Sequence, residues 1–191
     1  MKLKKLLLLT CCILFLQNVS AQRSANSAAP LPAAEVLQAA IKKAGAEKKQ
    51  VLAIFHASWC GWCHKMMASL ADPEIKPYFD ANYVIAEFVV YESKDKTNLE
   101  NPGAADLLKK YNNADQGLPT WLFFDAKQNL TADSQVRPAG AAQDSKGENV
   151  GCPAKQEEVA YFVSSLKKSS KLNEKELEAI TTVFRKNEIK R

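Results

Sequence analysis

The stretch VLAIFHA (51–57) runs almost without a polar break and passes straight into SWCGWCHKMM (58–67). An apolar run of this kind and length reads as a strand buried on both faces, the condition of central strands covered by helices on either side. From Gly61 to about Leu70 the composition favours helix, and Asp72-Pro73 ends it. A strand that must be covered on both sides and turns directly into a helix excludes all-α bundles and one-sided sheets. It requires an α/β layered fold.

The rest of the chain supplies the layers. Val36, Leu37, Ala40, Ile41 and Ala44 share one face of an amphipathic helix that begins near Ala33. EIKPYFDAN is a short helical or irregular link, and YVIAEFVVY (83–91) is β-branched and aromatic enough for a second central strand. After a polar loop and Pro102, GAADLLKKY forms a helix. LPTWLFF (118–124) is a third strand, DAKQNL a turn, and SQVRP (134–138) a short fourth strand reached by hairpin. Residues 139–152 form a polar loop longer than two adjacent elements need. PAKQEEVAYFVSSLKK places Val159, Phe162, Val163 and Leu166 on one helical face, and LNEKELEAITTVFRKN does the same with Leu172, Leu177, Ile180, Val183 and Phe184. The order implies a sheet whose last strands run antiparallel.

The N-terminus predicts export. Lys2, Lys4 and Lys5 precede an apolar run from Leu6 to Leu16, with small residues at Val19 and Ala21 before Gln22. This is the pattern of a secretory signal cleaved near Ala21, and the run is shorter than the roughly 20 residues a membrane helix needs. The expected organisation is a signal peptide over 1–21, a flexible tether over 22–32, a domain over 33–169 and a helical extension over 170–191. Cleavage leaves Cys60, Cys63 and Cys152 in a compartment that permits disulfides. It also lowers the formal net charge from +5 to +2, since three lysines and no acids are lost. Such a charge argues against a nucleic-acid partner.

Position narrows the chemistry. CGWCH alone fits a reversible disulfide, half of a zinc site or a c-type haem attachment site. A strand-to-helix turn at SWC puts Cys60 at a helix N-terminus, where unpaired N–H groups and the helix dipole favour a thiolate. Cys63, one turn further in, is close enough to bond Cys60 and to resolve a mixed disulfide.

Two motifs, WCGWC and GLPT (117–120), together resemble the thioredoxin superfamily, and in particular its exported, periplasmic bacterial members with a WCGWC active site. The resemblance covers about residues 33–168. It implies a thioredoxin-like central mixed sheet flanked by helices, here with four strands and an extra C-terminal helix. It implies that Pro119 is a cis-proline beside the disulfide and that the Leu118 backbone pairs with an extended substrate chain. Trp59 would wall the disulfide, and Gly61 and Trp62 would lie at the substrate contact surface. The chain departs from thioredoxin where Ile54 replaces a buried aspartate, His56 a tryptophan and Trp62 a proline. Glu87 interrupts an apolar strand, and as a buried carboxylate it would carry protons to and from Cys63. His64, one turn beyond Cys60, would help hold the thiolate, and His56 reads as a hydrogen-bonded core histidine. Cys152 borders the site in the family and reads as a solitary, unreactive thiol rather than a second resolving one.

Context opposes the rival chemistries. Haem sites of this pattern usually lie in small helical domains, and a structural zinc would need a second ligand pair, for which the mature chain offers only Cys152, His56 and His64. The expected function is an exported thiol-disulfide oxidoreductase acting on protein thiols and disulfides, with reduction favoured over oxidation or isomerisation. It would use no metal and no cofactor besides the Cys60–Cys63 disulfide, and it would exchange electrons with a membrane-embedded donor or acceptor. A redox-inactive binding module on the same fold is the remaining class.

Overall fold

The computed structural model describes residues 29–189. The signal peptide expected over 1–21 and residues 22–28 of the tether lie outside the described residues. Helix α1 (Ala33–Glu47) is closed by Lys48, whose left-handed φ of 56° turns the chain into strand β1 (Gln50–His56). Val51 to Phe55 are fully buried, as a two-sided strand requires. Helices α2 (Gly61–Leu70) and α3 (Lys76–Asn82) lead to β2 (Tyr83–Val89), which runs parallel to β1 in the register Gln50 to Tyr83 through His56 to Val89. Helix α4 (Ala104–Lys110) precedes β3 (Thr120–Phe124), which lies antiparallel on the other side of β1, and β4 (Leu130–Asp133) completes a four-stranded mixed sheet of order β2-β1-β3-β4. The fold is the expected mixed α/β architecture.

Strand alternation divides the core between two faces. Val51, Ala53, Phe55, Phe88, Leu122 and Phe124 pack with residues of α1 and α4. Leu52, Ile54, Trp121 and Phe123 pack with α2, α3, α5 (Gln156–Ser169) and α6 (Glu174–Arg185). Asn173 caps α6 by accepting from the Glu176 N–H at 3.1 Å, while Glu176 reaches back to the Asn173 N–H at 2.8 Å. Leu177, Ile180 and Phe184 are buried, so the C-terminal helix shares the core of the sheet.

Two strand expectations need correction. Residues 83–91 read as a central strand, but β2 stands at the sheet edge, with only β1 beside it. SQVRP reads as the fourth strand, but β4 starts at Leu130 and ends at Asp133. The Asp125 carboxylate accepts from the N–H groups of Lys127 and Asn129, each at 2.8 Å, and so closes the turn early. Gln135–Val136 (β5) instead pairs with Glu148–Asn149 (β6) in a separate two-stranded ribbon. What bends the chain there is a buried ion pair. Arg137 donates from both terminal nitrogens to Asp133 at 2.7 Å, and its Nε reaches the Ser145 carbonyl at 2.7 Å. The ribbon closes tightly at Gly147, where any Cβ would collide with the Val136 carbonyl.

Candidate active site

Cys60 is the N-cap of α2, in extended conformation with φ −83° and ψ 97°. Its N–H donates to the Ala57 carbonyl at 3.1 Å, and its sulfur accepts from the Cys63 N–H at 3.1 Å. The local sequence explains the placement: β1 delivers the chain at His56, residues 57–59 turn it, and the first turn of α2 then brings the Cys63 N–H to Cys60 Sγ. Cys60 and Cys63 form a disulfide, with S–S 2.03 Å and Cα–Cα 5.2 Å. Cys60 is 4% exposed and Cys63 1%, and both sit in a small apolar cluster with Ala57 and Leu118. Both residues are buried; Cys60, at the N-cap, is the outer of the two and Cys63 lies one turn further into the helix, the order in which attack and resolution are expected to use them.

Around this pair the aromatic residues face outward. Trp59 and Trp62 are 59% and 42% exposed. Trp59 is oriented by its indole N–H donating to the Tyr91 carbonyl at 2.8 Å, and Lys65 lies over the Trp62 ring at 4.5 Å. Gly61 is exposed, with open space where a Cβ would stand. The Ser58 N–H and hydroxyl both donate to the Glu92 carboxylate, at 2.5 and 2.8 Å. Desolvation works against that carboxylate, but the bonds from Ser58 outweigh it and hold its carboxyl below the usual range. This anchor was not legible in the sequence, because Ser58 and Glu92 are 34 residues apart and each reads as an ordinary loop residue.

The Leu118–Pro119 peptide bond is cis and lies beside the disulfide through the Leu118 contact. The loop is held from behind. The Asn149 amide donates to the Gly117 carbonyl and to the Pro119 carbonyl, the latter at 3.2 Å, and the Thr120 hydroxyl donates to Gly117 at 3.0 Å. The N–H and C=O of Leu118 itself take no hydrogen-bond partner among the described residues. Asn149 escaped sequence reading: it sits in a polar loop with no periodicity, and only the pairing of β5 with β6 brings it to the site.

The histidines and Glu87 differ from expectation. Glu87 lies on the outer strand with its side chain 54% exposed, so the burial on which its proton-transfer reading rests is absent. An edge strand covered on one side only leaves such a side chain in water. Its neighbour is no lysine but His56, whose Nε2 lies 3.7 Å from the carboxylate. His56 is partly buried at the end of β1, and Nε2 has no hydrogen-bond partner among the described residues, contrary to a satisfied core histidine. Burial lowers its pKa, opposed by the nearby Glu87. His64 Nε2 is 3.0 Å from the Ser58 carbonyl, so its ring is tied to the turn that precedes Cys60. Cys152 is 5% exposed, unpaired, and its thiol is pushed up to about 12 by burial.

A groove of about 850 Å³ opens from Trp62 and Leu118 along the connection between β6 and α5. The disulfide does not line this groove but packs against Leu118 at its near end, so a chain laid along the groove and past Leu118 approaches Cys60.

The sequence profile of the thioredoxin-like domain matches residues 37–139. No curated protein matches the chain. Among solved structures, a disulphide isomerase from Xylella fastidiosa Temecula1 is 16% identical over 61% of this chain and 79% of its own, with a TM-score of 0.45. A DsbH oxidoreductase is 22% identical over 82% of this chain and 95% of its own, with a TM-score of 0.43. The C-terminal domain of DsbD from Neisseria meningitidis, in its oxidised form, is 24% identical over 55% of this chain and 84% of its own, with a TM-score of 0.38.

Proposed function

Because this chain belongs to the thioredoxin-like family and carries a disulfide at the family's paired cysteine positions, we propose that it is an exported thiol-disulfide oxidoreductase that reduces disulfides in other proteins. The observation that carries this reading is the Cys60–Cys63 disulfide at the N-terminus of α2, with the outer sulfur accepting the Cys63 N–H. In the reduced protein the same N–H and the helix dipole favour the Cys60 thiolate. That thiolate attacks one sulfur of a substrate disulfide; the substrate S–S bond breaks, a Cys60–substrate disulfide forms, and the other substrate sulfur leaves as thiolate and takes up a proton. Cys63 then loses its proton and attacks Cys60 Sγ. The Cys60–Cys63 bond forms as the mixed disulfide breaks, so two electrons pass to the substrate, which leaves as a dithiol.

Reduction is favoured by the likeness of the GLPT loop to that of thioredoxin, and export by the basic, apolar and small-residue pattern of residues 1–21. A reductase in an oxidising compartment needs a supply of electrons, and a membrane-embedded dithiol donor is the partner of that chemistry. The test is the reduction potential of the Cys60–Cys63 pair together with its redox state in cells. A potential below about −220 mV and a mostly reduced pair are expected, with a Cys63→Ser variant accumulating mixed disulfides through Cys60. A mostly oxidised pair with a high potential would overturn the direction; no mixed disulfide at Cys60 would overturn the activity.

A further inference from the structure

The groove beside the disulfide owes its outer wall to the end of the chain. Trp62 and Leu118 form its near end and Val150 and Cys152 line its middle. Glu188 and Ile189, just beyond α6, close the far side. That end is anchored: Arg185 donates to the Ala154 carbonyl at 2.6 Å, and the Asn187 amide donates to Ser69 Oγ at 3.0 Å and to the Pro153 carbonyl at 3.4 Å. Ile189 nevertheless remains 64% exposed, an apolar side chain set on the rim of the groove.

Several polar groups around the groove are already committed, while the Lys155 side chain is exposed with its ammonium 4.0 Å from Glu158. The Asn149 amide is used by the Gly117 and Pro119 carbonyls. Glu158 accepts from the N–H groups of Ala154 and Lys155, each at 3.0 Å. Glu188 is paired with Arg185 at 2.7 Å. The groove therefore offers a ligand the apolar side chains of Trp62, Leu118, Val150 and Ile189, charged groups at Lys155, Glu158 and Glu188, and at its near end the free N–H and C=O of Leu118. An extended polypeptide can use the Leu118 main chain at one end and the apolar side chains beyond it. The contact of Leu118 with the disulfide selects which polypeptide: the one whose cysteine is bonded to Cys60.

We propose that Ile189, placed by α6 on the rim of this groove, selects for an apolar side chain in the substrate segment next to the reacting cysteine. The proposal rests on the reading of Cys60–Cys63 as a disulfide-exchanging pair. The C-terminal helix is then a specificity element, and the substrate class is a disulfide flanked by apolar residues.

The test uses the full reduced chain and two peptides of equal length, each carrying one cysteine as a mixed disulfide with glutathione, one with leucines and one with aspartates beside it. The leucine peptide should show a KM about tenfold lower with kcat within about twofold. Both Ile189→Asp and a chain ending at Glu188 should bring the KM ratio to about one. Neither change touches the core, because Ile189 is exposed and α6 is retained. Equal KM values in the unaltered chain, discrimination that survives both variants, or a groove filled by a second copy in a dimer dissociated by Ile189→Asp would overturn the proposal. Failure of the unaltered chain to exchange with hydroxyethyl disulfide, which needs no groove, would instead overturn the underlying activity.

Discussion

Cys152 lines the active-site groove, and its reactivity tells a third redox thiol from a packing residue. The perturbation is alkylation by iodoacetamide of the oxidised protein, in which Cys60 and Cys63 are tied up in their disulfide. Burial pushes the Cys152 thiol from 9.0 to about 12; Lys65 opposes the shift and Glu158 adds to it. Only the thiolate alkylates at a useful rate, and each pKa unit is a tenfold change in its population well below the pKa. A shift of three units thus leaves about a thousandfold less thiolate at pH 8 than an ordinary thiol has. Exposure of 5% slows the reagent further. Mass mapping of the Cys152 peptide over time should give a rate at least about a thousandfold below that of the urea-unfolded chain, still climbing above pH 10. A native rate within tenfold of the unfolded one would refute the reasoning and restore Cys152 as a redox partner.

Two further changes probe what holds the site. Arg137→Leu strands the Asp133 carboxylate, 1% exposed, with no countercharge, and should cost about 3–5 kcal/mol in urea unfolding; a loss under about 1 kcal/mol would show that the ribbon does not depend on the pair. Asn149→Leu removes the donor from the Gly117 and Pro119 carbonyls, frees the loop that presents Leu118, and should raise KM for a peptide disulfide about tenfold with little change in kcat. A fall in kcat at constant KM would place Asn149 in the chemistry rather than in positioning.

What could be read from the sequence follows the range of the forces involved. The strand Val51 to Phe55, the helix from Gly61 and the pairing of Cys60 with Cys63 were legible because they rest on local periodicity and on a spacing of three. The position of β2 was not, since an apolar run records burial without saying how many neighbours share it. At the edge of the sheet the same run leaves Glu87 in water, and the buried base read there becomes a surface acid beside His56. The fourth strand was displaced for a related reason. LTAD looks too polar for a strand until Arg137 and the Gln135 N–H satisfy Asp133, contacts two and four residues away that no apolar periodicity records. Asn149 and Ile189 reach the site only through long-range packing.

The exchange chemistry also requires a proton to leave Cys63, and the fold constrains where it goes. Ile54 fills a fully buried position in the core against α2, so no acid stands there. Asp133 is the one buried carboxylate among the described residues, and Arg137 holds both of its oxygens. A proton from Cys63 must therefore pass to water or to a group that reaches the site from the surface. His56 lies two residues beyond Ile54 on β1, and alternation gives it the same face of the sheet. Burial lowers the His56 pKa, which keeps the imidazole neutral and able to accept, while Glu87 at 3.7 Å favours the cation once formed. With no acid in the place of Ile54, the resolving step proposed for Cys63 is expected to follow external pH more closely than it would beside a sealed aspartate.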